Sequence, residues 1–370
     1  MIQRDRLLNT FLELVKIPGE SRHEAAVADY LASLFTQLGL SPEFDTVQEY
    51  TSGNCSNMHI TIPGTVEEPP LLISAHMDTV PTGGEVVPIV EEGYVRSAKD
   101  TILGADDRAG LAQIVEVVRV LREHSLSHPP LRVVITVAEE IGLLGARYCS
   151  ISEKDAHMGL VLDTTGPMGK IVYQAPFHDA WRISVRGKSA HAGIAPEDGI
   201  NAIHRCSSLL ERIPTGRLSQ DTTANIGRIT GGTADNIVAE EVTIHGEVRS
   251  TAETNTETFH AQMRLLCNEL EQRDNLPCTY TTHREYSGYT HDRASELIQR
   301  ISNAVSACGY PPTLASTGGG SDANYFTAHG IPTAVISCGM NKVHTYDEEI
   351  ALSDLYDTAK ILLAFILGEK

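Results

Sequence analysis

PLLISAHMDTVP (residues 70–81) runs a mainly apolar stretch straight into His76 and Asp78. An apolar run of this length, bounded by prolines and rich in Leu and Ile, reads as a strand covered on both faces, which is how the strands of parallel sheets look. Residues two apart on a strand point the same way, so His76 and Asp78 share a face at its carboxyl end. An acid there can orient the imidazole, as histidines that bind metals generally require.

Working outward, the same pattern recurs. LRVVITVAEEIGLLG (131–145) ends an apolar run with Glu139 and Glu140, and GLVLDTTG (159–166) ends one with Asp163. TAVISCGMNKVHTYDEE (333–349) places His344 a few residues beyond another. TILGADDRAGLAQIVEVVRVL (101–121) puts Asp106 and Asp107 at the entrance to an amphipathic helix, where acids are ordinarily caps. Each piece taken singly is explained by capping or by a turn. Together they bring histidines and acids to one sheet edge, the place where open α/β sheets bind ligands. Adjacent acids at a strand end repel, and a cation relieves that repulsion. Two imidazoles and three carboxylates suit Zn²⁺, Mn²⁺ or Co²⁺ and carry enough charge for two ions. Two such ions can share and acidify one water.

The remaining patterning sets the architecture. Two helices fill the first 40 residues, with Ser21 and Glu24 spaced as a capping box for the second. Strand and helix patterns then alternate as in an α/β domain with a mainly parallel sheet. Residues 180–284 read β-α-β-β-α-β, a split ferredoxin-like unit, with Thr254 and Glu257 as a capping box for its second helix. The α/β pattern resumes afterwards. The expected domains are therefore 1–176 with 288–370, interrupted by an inserted α+β domain at 177–287, with breaks near Ala175-Pro176 and Ser287-Gly288. A chain of 370 residues exceeds the roughly 250–300 at which one core stops growing.

A net charge of −19 argues against nucleic acid and anionic membranes as partners. The N-terminus lacks a secretory signal pattern, and no apolar run is long enough to span a bilayer. Seven scattered cysteines without a CxxC pair argue against disulfides or a thiolate zinc site, so a reducing cytoplasm is expected. His59, His204, His245, His283 and His329 lack a ligand-like setting, and Cys338 reads as a small core residue.

SAHMDTVP, LGADDRAG, AEEIGLLGA, VLDTTG, GKSAHAG and the late His344 occur in an order that resembles the M20 metallopeptidases, in particular their tripeptidase-like branch related to peptidase T. The resemblance spans nearly the whole chain. It implies a zinc-peptidase-type catalytic domain with an inserted lid and dimerisation domain, a homodimer, and small peptides as substrate. It implies that His76, Asp106 and Asp163 hold one ion and that Asp106, Glu140 and His344 hold the other. Asp106 is matched as the bridge because it lies two residues before a basic residue, here Arg108 in place of the commoner lysine. Glu139 is implied as general base, Asp78 as the support of His76, and His191 as an oxyanion-stabilising residue delivered by the lid. For the substrate, Gly318, Gly319 and Gly320 in STGGGSDANYF offer a backbone cradle for a carboxylate. Asn236 and Arg249 offer side-chain donors. An aminopeptidase or tripeptidase is expected; a carboxypeptidase or N-acyl amino acid deacylase shares every ligand, and a non-catalytic metal-binding protein is the remote alternative.

Overall fold

Every residue of the strand Leu71–His76 is buried, because it lies between two parallel neighbours, Leu131–Thr136 and Met158–Thr164. The computed structural model describes residues 1–369. Thr333–Ser337 adds a further parallel strand beside Met158–Thr164. Antiparallel strands flank this core: Met58–Ile62 with Glu43–Phe44 beyond it on one side, and Lys170–Ala175 on the other. The carboxyl ends of the three central strands and of Leu131–Thr136 therefore point the same way, as the sequence predicts.

The helices Arg4–Lys16, Ala105–Glu123, Leu352–Leu367 and Glu296–Ala307 pack in that succession beside the sheet. Their apolar faces and the sheet form one continuous core. Complete burial of a Leu or Ile side chain stabilises by about 1.5–3 kcal/mol, so these strands hold the frame of the site through packing. No helix among the described residues is long and apolar enough to cross a membrane.

The chain divides into two compact units, Met1–Gln174 with Thr290–Thr317 and Ser321–Lys370, and Ala175–Tyr289 with Gly318–Gly320. The second unit is an antiparallel sheet in which Thr222–Gly231, Glu241–Ser250, Phe177–Arg186 and Cys278–Tyr286 lie side by side in that order. Helices Ala202–Leu210 and Glu253–Asp274 complete it, giving the β-α-β-β-α-β order, with a short extra strand, Gly216–Ser219, on the edge. The glycines at 318–320 group with this unit rather than with their chain neighbours: a Cβ on Gly320 would lie 2.4 Å from the Tyr286 ring.

Both expected capping boxes are absent. The second helix begins at Ala25 without a side-chain cap, because Ser21 donates to Asp78 at 2.7 Å and Glu24 accepts from the Arg22 and Ala138 N–H groups. In the second unit the helix begins at Glu253, which places Thr254 inside its first turn. The sequence reading also missed a small antiparallel sheet in the first unit, formed by Pro88–Glu91, Tyr94–Ser97, Glu349–Ala351 and Met340–Asn341. It holds both ends of the loop that carries His344.

Glu247 of the second unit lies 3.0 Å from His178 and is gripped by Arg249 at 3.0 and 3.1 Å. These partners hold its carboxyl down at about 2, against an ordinary 4.5. A depressed folded-state value means that the stabilisation is fully present above about pH 4.5 and is lost as pH falls toward about 2. Acid denaturation monitored by circular dichroism is expected to report this, and Glu247→Gln should flatten the stability profile in that window.

Candidate metal centre

The entrance to the long helix separates the two acids that the sequence leaves side by side. Gly104 adopts a left-handed conformation, and Asp106 and Asp107 have non-helical backbone, so the regular helix starts after them. Asp107 is the cap: its carboxylate accepts from the Gly110 N–H at 3.1 Å and from the His76 N–H at 3.3 Å. Asp106 is left with both oxygens facing imidazoles. Its Oδ1 lies 3.1 Å from His76 Nε2 and its Oδ2 lies 3.3 Å from His344 Nε2.

The other expected ligands gather around this carboxylate. Glu140 Oε1 is 2.9 Å from His344 Nε2, and Asp163 Oδ1 is 4.0 Å from His76 Nε2. His76 Nδ1 lies 3.0 Å from the backbone oxygen of Asp78 and 3.4 Å from its carboxylate. A carbonyl oxygen only accepts, so Nδ1 carries a hydrogen and Nε2 is the nitrogen turned toward the acids. The Asp78 carboxylate accepts chiefly from Ser21 and from the Glu139 and Glu140 N–H groups, at 2.7, 2.9 and 3.2 Å. It therefore shapes the turn bearing both glutamates as well as supporting the imidazole.

Electrostatics favour a cation here. Burial pushes the Glu139 and Asp163 carboxyls well above their ordinary range, and neighbouring carboxylates push them further. Burial would also raise Asp106, but His344 and His76 outweigh it and hold its carboxyl well below the usual range. Contact with Asp106 and Glu140 raises His344 to about 10, and against the effect of burial the acids raise His76 as well. Protons on the imidazoles thus balance the acids when no ion is bound. A divalent ion at either Nε2 would take the place of that proton and would relieve the repulsion that raises Glu139 and Asp163. Two imidazoles and three carboxylates with facing donor atoms at 2.9–4.0 Å fit such ions.

Two features escaped the sequence reading. Glu348, buried, accepts from the Gly104 N–H at 2.6 Å and the Asp106 N–H at 3.1 Å, fixing the loop that aims Asp106. Burial raises it to about 7. Its only signal is the run of acids after His344. Arg108 is buried beneath Gly19, whose carbonyl oxygen lies 3.5 Å from Nη2, and burial lowers it to about 10.

The other expected residues lie in the second unit. The His191 and Asn236 segments are tied by a backbone hydrogen bond from the Ala192 N–H to the Asn236 oxygen at 2.9 Å. Arg249 does not offer a free fork, since Glu247 occupies it and Tyr286 accepts from it at 3.2 Å. A Cβ on Gly318 would meet nothing within 4 Å. The short helix that follows the glycines is already closed by a Ser321–Asn324 capping box.

The pattern of peptidase family M20/M25/M40 matches residues 72–368. The chain belongs to that family. Bacillus subtilis YqjE, a protein described as uncharacterized, is 38% identical over 99% of both chains. The structure is similar to that of the aminopeptidase PepT from Bacillus cereus, with 36% identity, 99% of both chains covered and a TM-score of 0.91. It is likewise similar to a tripeptidase from Staphylococcus aureus, with 34% identity, 100% of this chain and 99% of that chain covered, and a TM-score of 0.93. In this M20-family chain the candidate centre sits where the parallel strands end.

Glu348 provides a direct check on how the centre is built. Glu348→Ala removes the acceptor for two loop N–H groups and is expected to weaken metal binding about 10- to 100-fold, measured by calorimetry. Glu348→Gln keeps one acceptor oxygen but turns an NH2 donor toward the second N–H, so it should recover only part of it.

Proposed function

We propose that this chain is a two-ion metallopeptidase that removes residues from the free amino end of small peptides, with Zn²⁺ as the native ion and Mn²⁺ or Co²⁺ as substitutes. The observation that carries this reading is the Asp106 carboxylate, whose two oxygens face the Nε2 atoms of His76 and His344 at 3.1 and 3.3 Å. A carboxylate so placed can serve one ion with each oxygen. His76, Asp106 and Asp163 are assigned to the first ion, and Asp106, Glu140 and His344 to the second. When bound, the ions would supply Lewis-acid activation of water and stabilise charge on the tetrahedral intermediate.

The protein's own residues do the rest. Glu139 is the base: it takes a proton from the attacking water and delivers it to the leaving amine. Burial holds its carboxyl above the ordinary carboxylate range, which favours a group that takes up a proton and passes it on. Asp78 holds the Glu139 N–H and the His76 ring, so acid and ligand keep a fixed relation. His191 is assigned to the oxyanion, and Asn236 and the backbone at Gly318, Gly319 and Gly320 to the substrate, with Arg249 contributing only through guanidinium hydrogens not taken by Glu247 and Tyr286. This reading includes a homodimer and a cytoplasmic location; seven free cysteines agree with the latter.

Glu139→Ala is expected to keep full metal content while losing at least about 10²-fold in kcat. Turnover near that of the unmodified protein would remove Glu139 from this role. Peptides free or blocked at each end, assayed with Zn²⁺, Mn²⁺ and Co²⁺ added to metal-stripped protein, test the specificity. Blocking the amine should abolish hydrolysis. Retained cleavage of blocked substrates would instead identify a carboxypeptidase or deacylase.

A further inference from the structure

Asp45, His59 and Cys149 lie outside the centre described above, yet their side chains converge. Asp45 follows the short edge strand Glu43–Phe44, His59 sits on the adjoining strand Met58–Ile62, and Cys149 directly follows the helix Leu144–Tyr148. One carboxylate oxygen, one ring nitrogen and the sulfur all lie within 4.8 Å of one another. Two of the residues are half-buried and the cysteine is buried.

His59 meets both neighbours with the same nitrogen. Its Nε2 is 3.1 Å from Asp45 Oδ2 and 4.0 Å from Cys149 Sγ. A relay that activates a thiol needs the thiol on one ring nitrogen and the orienting acid on the other. Here a single nitrogen, able to hold at most one proton, faces both groups. A cation among the three satisfies all of them at once. Bond lengths of about 2.0–2.3 Å in a tetrahedral zinc site place nitrogen and oxygen about 3.4 Å apart, and nitrogen and sulfur about 3.6 Å apart. The observed 3.1 and 4.0 Å lie either side of those values, and the third edge, from Asp45 to Cys149, is at most 4.8 Å.

The surroundings hold the carboxylate in place. Asn57 Nδ2 donates to Asp45 Oδ2 at 2.8 Å, and the Val47 N–H donates to Oδ1 at 3.0 Å. Burial and the Asp45 carboxylate push the Cys149 thiol up, so without an ion it is an inert neutral group. A coordinated thiol loses its proton, which reverses that preference. Thiolate, imidazole and carboxylate together form a borderline-soft set.

We propose that Asp45, His59 and Cys149 form an accessory site for one borderline-soft divalent cation such as Zn²⁺. The ion fastens the sheet edge to the helix that follows Glu139 and Glu140. The site leaves a fourth position for water.

Titration of the metal-free full-length protein with Co²⁺ is the test. One equivalent should appear with a near-ultraviolet thiolate-to-cobalt charge-transfer band. Cys149→Ser and His59→Asn should each lose that equivalent and the band, or weaken them at least about tenfold. Cys338→Ser should keep both, although its sulfur lies 3.8 Å from Asp107. Folding of each variant is checked by circular dichroism; His59→Asn, at a half-buried position, carries the comparison if the buried serine variant unfolds. No band in the unmodified protein, or a band that survives both substitutions, overturns the site. The centre around Asp106 offers only nitrogen and oxygen donors, so failure of the peptidase reading would change cobalt uptake in every variant alike and leave the sulfur band untouched.

Discussion

The buried Asp78 carboxylate is the constraint on which the centre depends. It accepts from the Ser21 hydroxyl and from the N–H groups of Glu139 and Glu140, while its own backbone oxygen fixes the His76 ring. Three pieces of chain are thereby tied to one residue: the loop before the second helix, the end of the central strand, and the neighbouring strand end with its two glutamates. A buried carboxylate is costly unless its lone pairs are filled. Here they are filled by donors from the groups whose positions matter, so the requirement to satisfy Asp78 also sets the geometry of its surroundings.

Much of this was legible in the sequence because parallel strands buried on both faces leave an unmistakable apolar signature. PLLISAH, LRVVIT, GLVLD and TAVIS each announced a strand, and the side chains at or just beyond their ends had to emerge on one edge. Which acid faces the two imidazoles was reached in the sequence only through the family resemblance, which sets Asp106 two residues before Arg108. Asp106 and Asp107 are adjacent and chemically equal, and only the backbone at Gly104–Asp107 assigns one to capping and the other to the imidazoles. Glu348 and Ser21 were invisible for the opposite reason. Their partners lie far away in the chain, and a capping motif such as Ser21 with Glu24 loses to a tertiary partner when one is near.

His59 shows how residue type and setting separate. On the sequence it is one of several histidines on or near strands, with nothing local to distinguish it. The antiparallel pairing of Glu43–Phe44 with Met58–Ile62 brings Asp45 beside it, and the helix after Glu140 brings Cys149. Strand register and helix placement create such a cluster, and neither is written in the spacing of 45, 59 and 149.

The small antiparallel sheet that carries His344 has a kinetic consequence. His76 and Asp163 end strands in the middle of the main core, whereas His344 stands in a left-handed conformation on an exposed loop held by pairing through Met340–Asn341 and Glu349–Ala351. Local opening of that loop needs only a few short-strand hydrogen bonds to break, while displacing His76 means disrupting the sheet itself. In the proposed ligand assignment the two ions are therefore unequal in residence time. An ion held on the His344 side would exchange with solution more readily than one held on the His76 side.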